Sequence, residues 1–213
     1  MTSPLTSADL RALAAELTNR FGIQWRPKAT ALEMQLAGAL LAKLQIMDAE
    51  RFKGFSTTIA IPNPADLAGP PIIVCWLGFD LDEECDEETI FARMMTLVHE
   101  AQHAVDMASQ GAILFDLWYV IDKDRRCIDE ARGYATSAPL RLWRGWAPVP
   151  ASDVGEKLQS GYGVGAAARV TAEGAYTSLL ITVTAGGVYS PVVAFAIGWL
   201  GTRAPHLKGQ PAA

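Results

Sequence analysis

The sequence predicts a predominantly helical α+β domain, and three observations carry that expectation. Apolar residues recur at the helical period over two long stretches, from Leu10 to Phe21 and from Ile90 to Ala108. Two short runs, Thr57–Ile61 and Ile72–Leu77, are apolar or β-branched and are fenced by Pro62, Pro64, Gly69, Pro70 and Pro71, as strands of a small sheet would be. The last third is strongly apolar, with no charged residue from Gly174 to Thr202. At 213 residues the chain can form one compact domain, with residues 1–150 as its main body and residues 151–213 as an apolar helical region packed on it.

Ser7 is placed to cap the first helix, whose apolar positions Leu10, Leu13, Leu17 and Phe21 lead to a stop at Gly22. A second helix is expected from Thr30, with Glu33 completing a capping box and with Leu32, Leu36, Leu40, Leu44 and Met47 facing the core. After the strands, residues 87–110 carry Ile90, Phe91, Met94, Leu97, Val98, Ala101, Val105 and Ala108, and Gly111 supplies a stop. Residues 112–121 are strongly apolar, and a further helix is expected from about Asp122 to Ser137, interrupted by Pro139. Trp143, Trp146, Pro148 and Pro150 read as a stiff connection, with Ser152 or Asp153 capping the next element. The uncharged stretch 174–202 is long enough to span a bilayer, yet Gly186, Gly187, Ser190 and Pro191 break it in the middle. Two shorter buried helices or a helical hairpin are favoured over membrane contact.

The net charge of −5, with basic residues scattered, argues against a nucleic-acid partner. The acidity is local: Asp80, Asp82, Glu83, Glu84, Asp86, Glu87 and Glu88 stand at the start of the long helix, where the positive end of its dipole favours them. A calcium loop is the lesser reading of that segment. Cys75, Cys85 and Cys127 form no Cys-x-x-Cys pair, so reduced thiols are expected. The stretch Met1–Leu10 lacks a basic region followed by an apolar core, so no signal peptide is expected and the producing cell's cytoplasm is the default location.

The chemistry lies in His99-Glu100-Ala101-Gln102-His103. Two imidazoles four residues apart on a helix point the same way and can grip one metal ion, with a glutamate beside it where a base is needed. A catalytic zinc site needs a third protein ligand, leaving one position for water. A third histidine six residues on is excluded, because Asp106 and Ser109 occupy the positions that class fills with glycine and histidine. Glu130, in Cys127-Ile128-Asp129-Glu130-Ala131-Arg132-Gly133-Tyr134, is well placed on the next expected helix. Its competitors are weaker: Asp129 points about 100° away on the same helix, and Asp106 shares the motif helix but cannot join both histidines on one ion. Asp116, Asp122 and Asp124 flank the connection, and His206 sits in a Pro- and Gly-containing tail, where an exposed residue is expected.

His99, His103 and Glu130 are thus expected to bind Zn2+, and Glu100 to act as general base on a metal-activated water. Asp106 can orient a ligand from behind, with a solvated helix-end acid as the equal alternative. Tyr134, one turn after Glu130, can donate a hydrogen bond to the oxyanion of the transition state or pack as a core aromatic. Tyr162, Arg132 and His206 are further, unranked candidates. The strand Ile72–Leu77 can offer an edge for an extended peptide, unless it lies inside the sheet.

These residues resemble the gluzincin type of zinc metallopeptidase, in which His-Glu-x-x-His on one helix is completed by a glutamate on the next. The resemblance covers about Ile72 to Tyr134 and implies a zincin-like fold with a strand before the active-site helix. It also implies His99, His103 and Glu130 as zinc ligands and Glu100 as base. Better-known members carry an aspartate four residues after the ligand glutamate, where this chain has Tyr134. In size and wording, His-Glu-Ala-Gln-His followed by Asp-Glu-Ala-Arg-Gly-Tyr is similar to small metallopeptidase-like proteins encoded by tailed phages. The expectation is hydrolysis of an amide bond in a peptide or a peptidoglycan cross-link, with virion association if the phage likeness holds. The alternative is a virion or assembly protein that keeps a zinc-binding fold without turnover and meets partners through its apolar last third.

Overall fold

The computed structural model describes residues 3–32, 34–36, 53–66, 69–187 and 189–210. In chain order they form α1 (Ser7–Phe21), β1 (Ile23–Pro27), β2 (Thr57–Ile61), β3 (Ile72–Leu77), α2 (Glu87–Gln110), α3 (Ala112–Ile121), α4 (Lys123–Ala135), α5 (Ser137–Arg144), α6 (Ala151–Tyr162), α7 (Ala166–Thr184) and α8 (Pro191–Arg203). The class is the expected one, mainly helical α+β with a small sheet.

The sheet has the order β1-β3-β2, with β1 parallel and β2 antiparallel to β3. The alternation of side chains along β3 serves two cores: Cys75 and Leu77 join the main one, while Val74 and Trp76 pack with Met34 on the opposite face. Strand β1 carries no clear signal in the sequence. Its five residues run from just after the helix stop at Gly22 to Pro27, and only pairing with β3 makes them a strand. That pairing also corrects the peptide-edge expectation, because β3 has a neighbour on each side and its edges are occupied. Among the described residues the outer strands are β1 and β2, and the Ala60 N–H on β2 is already held by the Asp116 carboxylate of α3 at 2.9 Å.

Thr6, rather than Ser7, opens α1. Its N–H and hydroxyl both donate to Asp9, while the buried Ser7 hydroxyl donates instead to Glu84 at 2.5 Å. Gly22 ends the helix with φ 72°, a conformation that costs glycine little. Of the expected second helix, Met34 is buried on the sheet, but Leu32 and Leu36 are 66% and 63% exposed, so those two do not face a core. Glu33, Leu40, Leu44 and Met47 lie outside the described residues.

Helix α2 is the central beam. Asp86 caps it by accepting the Thr89 N–H at 2.7 Å, and Glu87 and Glu88 fill the first turn. Ile90, Phe91, Met94, Leu97 and Ala101 are fully buried against α1, β3, α5 and α8. Burial of each large side chain contributes roughly 1.5–3 kcal/mol. The acidic segment before α2 is satisfied by protein partners: Arg93 pairs with Glu83, Arg11 with Asp82, and Glu87 accepts the Leu5 N–H and meets His206.

After α4 the chain does not pause until Pro139. It starts α5 at Ser137, with Pro139 in the first turn, where a missing N–H costs nothing, and Trp143 inside that helix rather than in a connection. Pro150 precedes α6, and neither Ser152 nor Asp153 caps it. Helix α7 packs through Ala168, Ala172 and Tyr176 on α4 and α6. The break at residues 185–190 redirects the chain, and Ser190 caps α8 through the N–H groups of Val192 and Val193. Helix α8 then joins the main core beside α1 and α2. No helix among the described residues is long and apolar enough to cross a membrane.

Burial pushes the Asp116 carboxyl up to about 6, against the pull of the Ala60 N–H. An acid raised on folding makes the native state the tighter proton binder, so stability falls as pH rises from about 4 through about 6 and stays lower above. Asp116→Asn keeps a carbonyl oxygen for Ala60 without the charge. It should gain about 1–2 kcal/mol over wild type in urea unfolding at pH 7.5, allowing for partial exposure, and little at pH 4. An equal difference at both pH values would contradict this account.

Candidate metal centre

His99 and His103 lie one turn apart on α2, on the side turned away from the apolar face, and their Nε2 atoms are 3.1 Å apart. Helix α4 brings Glu130 against both: Oε2 is 3.5 Å from His99 Nε2, and Oε1 is 3.6 Å from His103 Nε2. The three residues are the metal-compatible cluster found among the described residues. Ligand atoms about 2.1 Å from a tetrahedral centre stand roughly 3.4 Å from one another. Each imidazole lies near that distance from its nearest Glu130 oxygen, and one ligand atom from each of the three residues lies within 4.8 Å of the others, so the donor set is compatible with a small divalent cation.

The close approach depends on Gly133, one turn beyond Glu130. A Cβ there would lie 2.7 Å from Cε1 and Nε2 of His99, inside any tolerable contact. Glycine within a helix costs about 1 kcal/mol relative to alanine, so its place here runs against helix propensity. It lets α4 lie flat on the imidazole.

Burial opposes ionisation of Glu130, which is 3% exposed, but the His99 and His103 rings and the Tyr119 hydroxyl outweigh it and hold the carboxyl down at about 2. For His99, burial works against the proton, while the Glu130 and Glu100 carboxylates raise its pKa overall. An ionised carboxylate against two imidazoles is the charge pattern that a divalent cation would take over. Glu130 Oε2 accepts no hydrogen bond although it is buried, which is the behaviour of an atom suited to a cation.

Behind His103 lies a second layer. Asp106 is buried, not solvated; it accepts from Gln102 Nε2 at 3.0 Å and Arg132 Nη2 at 2.7 Å. Burial raises its pKa despite Arg132, and burial likewise raises that of Asp129 despite Arg125. His103 Nδ1, Asp106 Oδ2 and Asp129 Oδ1 are buried without partners. Asp129 itself pairs with Arg125 at 3.2 Å.

The other competitors for the third ligand position are used elsewhere. Asp116 holds β2, Asp122 caps α4 through the Arg125 N–H at 3.0 Å, and Asp124 is exposed in the first turn of α4. His206 is not the exposed tail residue expected: it is half-buried in a short helical turn, with Nε2 3.0 Å from Glu87. Arg132 serves Asp106 and does not join the cluster.

The cluster opens onto a cleft of about 300 Å³ whose lining includes His99, Glu100, Glu130, Tyr134 and Tyr162. Glu100 is 6% exposed, and its Oε2 accepts the Thr58 hydroxyl of β2 at 2.6 Å. Tyr134 meets the His99 ring edge-on, with centroids 5.0 Å apart at 82°. Tyr134, four residues after Glu130, thus touches the first histidine through an aromatic ring.

Two residues escaped the reading of the sequence. Tyr119 of α3 donates to Glu130 Oε1. It lies in the apolar run 112–121, and no spacing rule links it to a glutamate on the next helix. Gly133 had a signal, a glycine inside a helical pattern, which usually marks a close packing contact.

Tyr119→Phe removes a hydrogen bond that orients a Glu130 oxygen, and Gly133→Ala forces His99 or α4 to move. Zinc affinity, measured by competition with a chromogenic chelator, should fall about 10–100-fold in each. An unchanged dissociation constant in both would show that neither shapes the site.

The chain matches no protein-family model, no curated protein and no solved structure.

Proposed function

We propose that the chain is a zinc-dependent metallopeptidase of gluzincin type that hydrolyses an amide bond in a peptide or in a peptidoglycan cross-link. The observation that carries this reading is the spacing of 3.1, 3.5 and 3.6 Å among the ring nitrogens of His99 and His103 and the carboxylate of Glu130, with Glu100 lining the same cleft. Two imidazoles, one carboxylate and a neighbouring glutamate base are the donor set of a hydrolytic zinc site. When bound there, zinc would acidify a water molecule and polarise the scissile carbonyl.

The chain's own groups supply the rest. Glu100 takes the proton from the attacking water and returns it to the leaving amine. The Thr58 hydroxyl fixes its Oε2, which aims the other oxygen for proton transfer. Tyr134 and Tyr162 line the cleft as donors for the developing oxyanion. Burial and the nearby Glu130 carboxylate hold the Tyr162 pKa well above its ordinary value, so its hydroxyl keeps its proton at neutral pH.

Metal analysis of protein purified without a histidine tag should give one zinc per chain, lost in His103→Ala and in Glu130→Ala. Glu100→Gln should retain the metal and lose about 10²–10⁴-fold in the rate of peptide or cell-wall hydrolysis. Zinc binding with no hydrolysis in wild type would favour a structural role for the fold, and wild type without metal would end the proposal.

A further inference from the structure

We propose that the cleft selects a substrate bearing a carboxylate close to the scissile bond, and that Arg141 and Lys157 are the residues that bind it. This inference rests on the metallopeptidase reading above and names a substrate class for it.

The two cations line the same cleft as His99, Glu100 and Glu130. They arrive from different elements, Arg141 from the last turn of α5 and Lys157 from α6, so their meeting at one cleft is made by the fold and not by neighbouring positions in sequence. Neither has a carboxylate partner among the described residues, whereas Arg11, Arg93, Arg125, Arg132, Arg169 and Arg203 all do. The acids that share the cleft are already committed: Glu130 to the imidazoles and Tyr119, Glu100 to Thr58.

Both cations are also held in place. Arg141 Nε donates to the Ala147 carbonyl at 2.7 Å and its guanidinium lies over the Trp146 ring, 5.2 Å from the centroid. Lys157 Nζ stands 5.8 Å from the centre of the Tyr134 ring, the same ring that meets His99 edge-on. One aromatic ring thus separates the ammonium from the metal-side imidazole. An extended chain advances about 3.3–3.6 Å per residue, so a carboxylate a few residues from the bond at the cluster comes within reach of Lys157, with Arg141 on the same cleft wall. Oriented guanidinium and ammonium donors with no internal anion are suited to a carboxylate ligand.

The source of that carboxylate is either a free chain terminus or an acidic side chain or branch, and one experiment separates them. N-Hydroxysuccinamic acid offers a hydroxamate for zinc and a carboxylate at short reach, and its primary amide is the neutral control. Calorimetric titration of zinc-loaded protein should show the acid binding at least about tenfold tighter than the amide, with the preference shrinking as salt is raised. Lys157→Ala and Arg141→Ala should each erode that preference, and Lys157→Glu should reverse it, with zinc stoichiometry unchanged. As competitors for the hydroxamate, pentaalanine with a free terminus, its amide, and the amide carrying one glutamate then identify the source. A stronger free terminus assigns a terminal carboxylate, and a stronger glutamate peptide assigns a side chain. Equal affinity for acid and amide in a zinc-loaded protein overturns this inference alone; failure to take up zinc overturns it together with the metallopeptidase reading.

Discussion

The fit of α4 onto the side of α2 governs everything at the candidate centre. Two helices normally pack with their axes 8–10 Å apart, kept there by the side chains at the contact. At Gly133 nothing projects, so the His99 ring fills the space a methyl would take, and one turn earlier Glu130 reaches both imidazoles. The carboxylate would otherwise be a buried, ionised group facing two rings in a low-dielectric pocket, an arrangement that is stable only when its charge is matched. The two rings that face it come from α2, and Tyr119 of α3 supplies a hydrogen bond.

Helix α2 does two jobs with two faces. One face is a continuous apolar stripe, buried against helices from both the beginning and the end of the chain, and it fixes the helix in rotation as well as position. The other face presents histidines one turn apart, backed by Asp106 and Arg132. Rotating α2 by the angle of a single residue, about 100°, would take the rings out of the cluster and expose the stripe. The burial energy of the core therefore sets the aim of the imidazoles.

How much of this the sequence disclosed depends on how local each signal is. The bounds of α2, β2 and β3 stand where periodicity and the surrounding prolines put them, since each is decided by side chains within a few residues. The convergence of His99, His103 and Glu130 was also legible, because helical spacing puts both rings on one side of α2 and few acids downstream stand on a helix that can fold back onto it. What was hidden rests on distant partners. Strand β1 exists because β3 receives it, Ser7 gives up capping because Glu84 lies 77 positions away, and Tyr119 matters only once α3 folds against Glu130. Residues 112–121 showed only their apolarity; which of them faces a carboxylate is a property of the packing.

Glu87 holds both extremities of the described chain: its carboxylate accepts the Leu5 N–H at 2.7 Å and meets His206 at 3.0 Å, while Arg203 reaches Asp9 nearby. The polypeptide is in effect cyclised without a covalent bond, and the clasp sits on the first turn of the helix that carries the imidazoles. Loosening either extremity frees a partner of that first turn, so the anchoring of the imidazole-bearing helix draws on residues 5 and 206 as well as on its own neighbours.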